Sequence, residues 1–306
     1  MDASSGSSIL RLSEAVRVLP GPTNIGIILE SASPDGKAGV YLVDSGNDKE
    51  AGRKILRLLE ENGWVLRGIV NTHSNADHIG ANEYLQGKTG CGIWATIGES
   101  SFIQHPIIES SFLWGGYPFR EIRSKFFLAK PSRVTGSLGE GTDHPDFSSI
   151  PLAGHYFDQV GILSRDGVAF LGDGIFGEEI LAKYCIPYIY NVREFRASLE
   201  RIRDLEASHY VPSHGGIIED PAELRRLVDA NLRVSREVEE AIVSILKKKQ
   251  GFESLLKALC DGYSIDLGYA QYILIGNTVR SFLSYLSDEG KARFSFEGNV
   301  MYWEGV

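Results

Sequence analysis

A layered α/β fold is predicted from three observations on the 306-residue sequence. Short Val- and Ile-rich runs are punctuated by Gly, Pro and Asp, the pattern of strands and their turns. Segments with apolar residues at helical spacing alternate with those runs, as in layered α/β domains. The last quarter breaks the alternation: it is helical in pattern until a closing pair of strands, which marks an appended module.

In chain order, residues 1–14, MDASSGSSILRLSE, lack the basic start and apolar run of a signal peptide and are expected to be a disordered leader. The stretch AVRVLPGPTNIGIILESASPDGKAGVYLVDSG then predicts a meander of strands. KEAGRKILRLLEENG places Ile55, Leu56, Leu58 and Leu59 at helical spacing and stops at Gly63. WVLRGIVNTH reads as a strand, ANEYLQGKTG as a short helix and CGIWAT as a strand. Residues 97–128 are irregular and aromatic; a pair of helices joined at Gly115 and Gly116 is expected, with Trp114, Tyr117 and Phe119 as a lid or substrate wall.

Strands and turns return from SRVTGSLGEGT to VAFLGDGIFG, and NVREFRASLERIRDLEASHYVPSHGG predicts a helix, a strand and a Gly-Gly turn. From residue 221, PAELRRLVDANLRVSREVEEAIVSILKKKQ is helical, with Pro221 suited to the first turn. Further helices and a hairpin turning at EGN close the chain, so residues 221–306 are expected to be a winged-helix-like module.

Composition narrows the function classes. No run reaches the ~18 to 20 apolar residues of a membrane span, so no membrane role is expected. Cys91, Cys185 and Cys260 are odd in number and widely spaced, which predicts reduced thiols and a cytoplasmic setting. A net charge of -9 disfavours a general nucleic-acid surface. From Arg236 to the end, eight Lys and Arg face ten Asp and Glu, which is poor for counterion release.

The chemistry is carried by NTHSNADHIG, residues 71–80, which packs His73, Asp77 and His78 into six positions with Asn75 between them. Imidazole and carboxylate suit zinc, iron or manganese. Three more segments leave strands in the same manner: PLAGHYFDQVG with His155, AFLGDGIFG with Asp173, and VPSHGG with His214. Each of these candidates adjoins glycine or a small residue, which lets backbone and ion come close. His105, His144 and His209 stand alone and are expected to be ordinary surface or core side chains.

In this order, THSNADH, GH, GD and SHG resemble the metallo-β-lactamase superfamily over about residues 15–220, whose pattern is T-H-x-H-x-D-H, G-H, G-D and S-H-G. The resemblance implies a four-layer αββα sandwich, a catalytic domain over 15–220, and two metal sites at one sheet edge. Site one would take His73, Asn75 in place of a second histidine, and His155. Site two would take Asp77, His78 and His214, with Asp173 bridging and Asp44 orienting a ligand histidine.

Zinc is the first expectation, one or two ions per chain, with iron or manganese as alternatives. A carboxamide oxygen is a weaker zinc ligand than imidazole, so site one is expected either to be weakened or to bind through Asn75 with a harder ion. The implied activity is hydrolysis, with metal-activated hydroxide attacking a thioester, ester or lactone of a small molecule and Asp77 orienting the water. The branch is similar to lactamase-β-like and glyoxalase-II-like hydrolases. The stretch after Asp173, GIFGEEILAKYCIPYIYN, departs from a Gly-Cys-Gly-Arg element and argues against glutathione. Tyr184, Tyr188 and Tyr190 are expected near the metal edge, Tyr188 as a substrate contact. A nuclease for single-stranded nucleic acid and a degenerate metal-binding sensor are the alternative functions, and a homodimer is the expected assembly.

Overall fold

In this computed structural model, residues 9–33, 35–139 and 143–306 are described, Asp143 by its backbone alone. The first strands are β1 (Leu10–Arg11), β2 (Val16–Leu19), β3 (Ile25–Leu29) and β4 (Gly39–Val43), each antiparallel to the next. From β4 onward the sheet turns parallel, and parallel neighbours need crossover connections. Helix α1 (Lys49–Asn62) leads to β5 (Val65–Val70); the short α2 (Ala76–Ile79) and α3 (Asn82–Thr89) lead to β6 (Gly92–Thr96). Helices α4 (Ile97–Gln104) and α5 (Ile107–Trp114), with a 3-10 turn at Arg120–Arg123, lead to β7 (Gly136–Leu138) and complete seven strands in sequence order.

The second sheet holds β8 (Asp143–His144), β9 (Phe147–Pro151), β10 (Val160–Ser164), β11 (Val168–Gly172) and, after helices α6 (Glu178–Tyr184) and α7 (Val192–Arg203), β12 (His209–Pro212). Its order is β12-β11-β10-β9-β8, and only β11 and β12 pair in parallel. The two sheets face each other because each offers an apolar side to the other. Val16, Val18, Ile28, Tyr41 and Val43 pack against Ile162, Val168, Phe170 and Val211. Outside the first sheet, Ile55 and Leu59 of α1 and Leu85 of α3 cover Ile27, Leu42, Ile69 and Ile93. Outside the second, Phe195, Leu199 and Ile202 of α7 cover Leu152, Ala169 and Leu171. This is the αββα order that the sequence resemblance implies.

Capping residues set the helix ends where the sequence places them. The Asp48 side chain accepts from the Glu50 and Ala51 N–H groups ahead of α1, and Gly63 closes it in a left-handed conformation at φ 66°. The chain continues into α8 (Pro221–Ile245), capped by Asp220 with Pro221 in the first turn. Then come β13 (Gln250–Gly251), α9 (Phe252–Gly262), α10 (Tyr269–Asp288), β14 (Ala292–Glu297) and β15 (Val300–Gly305). The hairpin turns at Gly298 and Asn299, both with positive φ, and β13 joins it as a third strand.

The structure departs from the sequence reading in two places. Residues 1–8 of the expected leader lie outside the described residues, but Leu10–Arg11 pair with Val18 and Arg17. They are fixed there because Leu12 packs on the inter-sheet core and Asp166 accepts from the Ser13 hydroxyl and the Ala15 N–H, both at 2.8 Å. Residues 76–79, which lie between the strand and the helix that the sequence predicts, form one helical turn. The helical module from residue 221 shares its core with the second sheet: Leu224, Val228, Leu255 and Phe282 belong to one cluster with Ala169 and Leu171. Each such fully buried side chain contributes about 1.5–3 kcal/mol, so these helices are integral to the sandwich. No helix among the described residues is long and apolar enough to cross a membrane, and the three cysteines are free.

Strand register positions the candidate site. Val43 on β4 lies opposite Val70 on β5, so Asp44 and the 71–78 segment leave the first sheet at the same edge. Gly172 lies opposite Pro212, so Asp173 and His214 leave the second sheet together. The Val160 N–H donates to Thr72 O at 2.9 Å and the Asn24 N–H to Ser213 O at 2.8 Å, which joins the two sheets at that edge.

Candidate metal centre

Asp44 is buried, held at φ 61°, and accepts from the Thr72 N–H and Thr72 hydroxyl, both at 2.8 Å. The same carboxylate lies 2.8 Å from His78 Nδ1, which therefore carries a ring proton and directs Nε2 away from Asp44. Because the Thr72 hydroxyl gives its proton to Asp44, it accepts from His73 Nδ1 at 3.0 Å. His73 Nε2 is then a free lone pair. Both Nε2 atoms are buried without a hydrogen-bond partner, as is Asp173 Oδ1.

Orphaned buried polar atoms are costly unless something occupies the space between them. Asp173 sits at the middle, its oxygens 3.5 Å from His78 Nε2, 3.7 Å from His155 Nε2 and 3.5 Å from His214 Nε2. Asp77 Oδ2 lies 3.4 Å from His214 Nε2 and 3.8 Å from His78 Nε2. Two overlapping groups of ligand atoms result, His73, His78 and Asp173, and Asp77, His78 and His214. Outer partners fix the remaining rings: His155 Nδ1 donates to Tyr188 O at 3.0 Å and His214 Nδ1 to Pro22 O at 2.6 Å. His155 reaches the centre because Gly154, at φ 125°, lies against the Phe195 backbone, where an added Cβ would come within 2.1 Å of Phe195 N.

The donors have the protonation a cation needs. Burial, reinforced by the neighbouring His78, drives His73 well below its ordinary value. Burial also lowers His155, against the pull of Asp173. Both rings are neutral at pH 7. Burial opposes charge on Asp77, but His78 and His214 outweigh it and lower the carboxyl to about 2. Asp173 is likewise driven well below its ordinary range, burial being outweighed by His214 and His78. On His78 and His214 burial is overcome by the surrounding carboxylates, which raise them to about 9 and about 12. At pH 7 both rings therefore hold a second proton, which a cation at Nε2 would displace.

Asn75 stands at the start of α2 with no cap hydrogen bond from its side chain. Its Oδ1 lies 3.0 Å from His155 Nε2 and its Nδ2 donates to Glu109 Oε1 at 2.7 Å. All seven expected ligand positions, His73, Asn75, Asp77, His78, His155, Asp173 and His214, thus come together, with Asp44 behind them. His105, His144 and His209 stay outside both groups of ligand atoms; His144 stacks on Phe147 at 4.4 Å.

The expected substrate wall is displaced. A cavity of about 350 Å³ opens beside Asp77, His155, Asp173 and His214, and its walls include Phe126, Phe176, Tyr184, Tyr188, Leu274 and Ile275. Tyr188 and Tyr184 are therefore among its lining residues. Trp114 and Tyr117 are not: Trp114 packs edge-on to Phe119 at 4.9 Å, and Tyr117 is exposed with the Arg123 guanidinium over its ring. Tyr190 stacks on Phe157 at 4.1 Å.

Two acids that the sequence reading passed over support the metal loop. Glu99 on α4 accepts from the Ser74 N–H at 3.0 Å and the Ser74 hydroxyl at 2.5 Å, and burial raises it to about 7. Glu109 on α5 holds Asn75. The signal was present: Glu99 shares a helix face with Phe102 and Ile103, and Glu109 with Leu113, so each acid falls at a buried position of an apolar helix.

The metallo-beta-lactamase superfamily model matches residues 18–214. A hydroxyacylglutathione hydrolase from Haemophilus influenzae is 27% identical over 145 residues, 46% of this chain and 64% of that protein. The match therefore spans under two thirds of the relative's length. Among solved structures, a metallo-beta-lactamase family protein from Thermus thermophilus superposes with a TM-score of 0.74 at 20% identity, over 95% of this chain and 99% of its own. A beta-lactamase domain protein from Burkholderia ambifaria gives 0.74 at 19% identity, over 98% and 95%. At these identities the two structures establish the fold, and their coverage takes in the C-terminal helices.

Proposed function

This chain belongs to the metallo-beta-lactamase superfamily, and on that premise we propose that it is a metal-dependent hydrolase of an ester-like small molecule, foremost a thioester with an apolar acyl group. The observation that carries the reading is the set of orphaned donor atoms, His73 Nε2, His78 Nε2 and Asp173 Oδ1, at the end of an apolar cavity. The family implies divalent metal ions, and the donor set fits them: neutral imidazoles, anionic carboxylates and lone pairs without partners. His73, Asn75, His155 and Asp173 would hold one ion, and Asp77, His78, His214 and Asp173 the other. Zinc suits this nitrogen-rich set best, with iron or manganese next. When bound, such ions supply Lewis acidity for hydrolysis at neutral pH.

The chain's own residues do the rest. Asp77 is anionic, its side chain 41% exposed, and it faces the cavity, so it can orient a water and take its proton at Oδ2. Phe126, Phe176, Ile180 and Ile186 exclude water and accept an apolar acyl group, while Lys183 and Gln271 at the same cavity offer polar contacts to the leaving group. The relatives that act on hydroxyacylglutathione, by their names, favour a thioester. The sequence after Asp173 differs from the Gly-Cys-Gly-Arg element and favours a thiol other than glutathione.

A nuclease is the weaker reading. Several cations of the C-terminal region are already paired: Lys249 with Glu297, Lys257 with Asp261, Lys291 with Glu239 and Arg293 with Glu304. The discriminating experiment is a panel of thioesters of graded acyl length, lactones, phosphodiesters and β-lactams. Turnover of apolar acyl thioesters, abolished by chelator and restored by metal, is expected. Turnover confined to phosphodiesters, or indifferent to chelator, would overturn the proposal.

A further inference from the structure

We propose that strand β14 is a self-association edge. Two copies of the chain join their C-terminal hairpins antiparallel about a two-fold axis at Ser295, so that two three-stranded sheets become one of six strands. Neither the metal centre nor its cavity takes part.

The small sheet runs β13-β15-β14, so among the described residues β14 has a neighbouring strand on one side only. Gly298 and Asn299 form the two-residue turn between β14 and β15, and Glu297 and Val300 are its closing pair. In such a hairpin the closing pair exchanges hydrogen bonds, and inward- and outward-pointing residues alternate from there. Ser295 and Arg293 therefore turn their N–H and C=O groups to β15, whereas Phe294 and Phe296 turn theirs to the open edge. An edge of this kind is a template for another strand.

The sequence of β14, ARFSFE, is complementary to itself when read antiparallel. Centred on Ser295, the pairing sets Phe294 opposite Phe296 of the second copy, so outward groups meet outward groups and each pair exchanges both its hydrogen bonds. The same register sets Arg293 opposite Glu297 of the second copy, and the reverse. Within the chain Arg293 pairs with Glu304 at 3.0 Å, and Glu297 pairs with Lys249. One face of the joined sheet thus carries a row of charges that alternate in sign, which is the favourable cross-strand arrangement. Parallel pairing in register would oppose like charges instead.

The other face supplies apolar area. Phe294 and Phe296 are 53% and 66% exposed, with ring centroids 6.3 Å apart, and Phe294 lies 5.5 Å from Trp303. Joining extends this row to Phe296 of the second copy and covers rings that now face water. At the axis Ser295 meets its counterpart in a closely spaced pair, about 4.5 Å between Cα atoms, where small side chains fit. Ser295 Oγ is shielded from solvent and has no hydrogen-bond partner among the described residues, and its counterpart supplies one.

The test is sedimentation of the full-length protein over a range of concentrations. Wild type is expected to shift from one chain mass to two at about micromolar concentrations, since a strand pair is small for an interface. Arg293→Glu alone and Glu297→Arg alone each set like charges opposite one another and are expected to stay at one chain mass. Both side chains are mostly exposed, at 67% and 63%, so either substitution spares the fold. Mixed in equal amounts, the two variants are expected to recover two chain masses, because each new charge then faces its opposite. Ser295→Cys is expected to cross-link two copies on mild oxidation, at a yield above that of wild type with its half-buried Cys185. A wild type that stays at one chain mass throughout would overturn the proposal and leave the edge to a strand of another protein. Dimers undiminished in both charge variants, or a mixture that stays at one chain mass, would overturn it as well. No gain in cross-linking over wild type would overturn the axis at Ser295.

Discussion

Four donors converge on Asp44, from the Thr72 N–H, the Thr72 hydroxyl, His78 Nδ1 and, at 3.5 Å, Asn71 Nδ2, so the position demands a group that only accepts. Asp44→Asn keeps the shape and tolerates the left-handed backbone, yet one of its two ends must present NH2 to a donor. If that donor is His78, the ring proton moves to Nε2, the atom aimed at Asp77 and Asp173. Chelator competition on the asparagine variant is expected to show metal affinity reduced about 10- to 100-fold; wild-type affinity would mean that Asp44 does not set the tautomer. At this scale the sequence was informative where residues sit in a fixed short order. His73, Asp77 and His78 fall within six consecutive positions after a strand, and His155, Asp173 and His214 each follow a strand. It was silent where function depends on a partner far along the chain. Glu109 meets Asn75 across 34 positions, and only its place on a buried helix face hinted at a role.

Glu239 of α8 shows how the helices are tied together: it accepts from Arg196 of α7 and from Lys291 after α10, both at 2.8 Å. Burial works against its charge, but the two cations outweigh it and hold its pKa below the ordinary value. A carboxyl depressed in the folded state adds stability that is complete above its unfolded pKa of about 4.3 and is lost as pH falls through the folded value. Glu239→Gln is therefore expected to cost about 1.5–3 kcal/mol at pH 7, in line with charged hydrogen bonds. Thermal melts should show its gap from wild type narrowing below about pH 4; a gap of constant size would contradict the assignment. Helices α1, α7 and α8 were legible because each is long, amphipathic and capped. Strand β1 and helix α2 were not, because two residues or one turn are too short to show a period. Both are fixed by contacts with distant segments, β1 through Asp166 and α2 through the Ser45 N–H, which donates to His78 O at 2.8 Å.

Taken whole, the molecule brings the edges of two sheets together and closes the space above them with chain from three regions. The cavity wall takes Phe126 from beyond α5, Phe176 to Tyr188 from around α6, and Ala270 to Ile275 from α10. The layered order was readable from alternating strands and helices, and the two-sheet sandwich followed from the motif order. The wall was only partly readable: Tyr184 and Tyr188 line it, but aromatic content also marked Trp114 and Tyr117, which lie outside it, and gave no sign of Phe126. The central claim is that Asn75 completes a two-ion centre. Anomalous X-ray scattering at the absorption edge of the bound metal, from crystals of protein purified without added metal, tests it most directly. Two peaks per chain are expected, one in contact with His73 Nε2, Asn75 Oδ1 and His155 Nε2, the other with Asp77, His78 and His214. A single peak at the second set, with the Asn75 oxygen turned away from His155, would contradict the account.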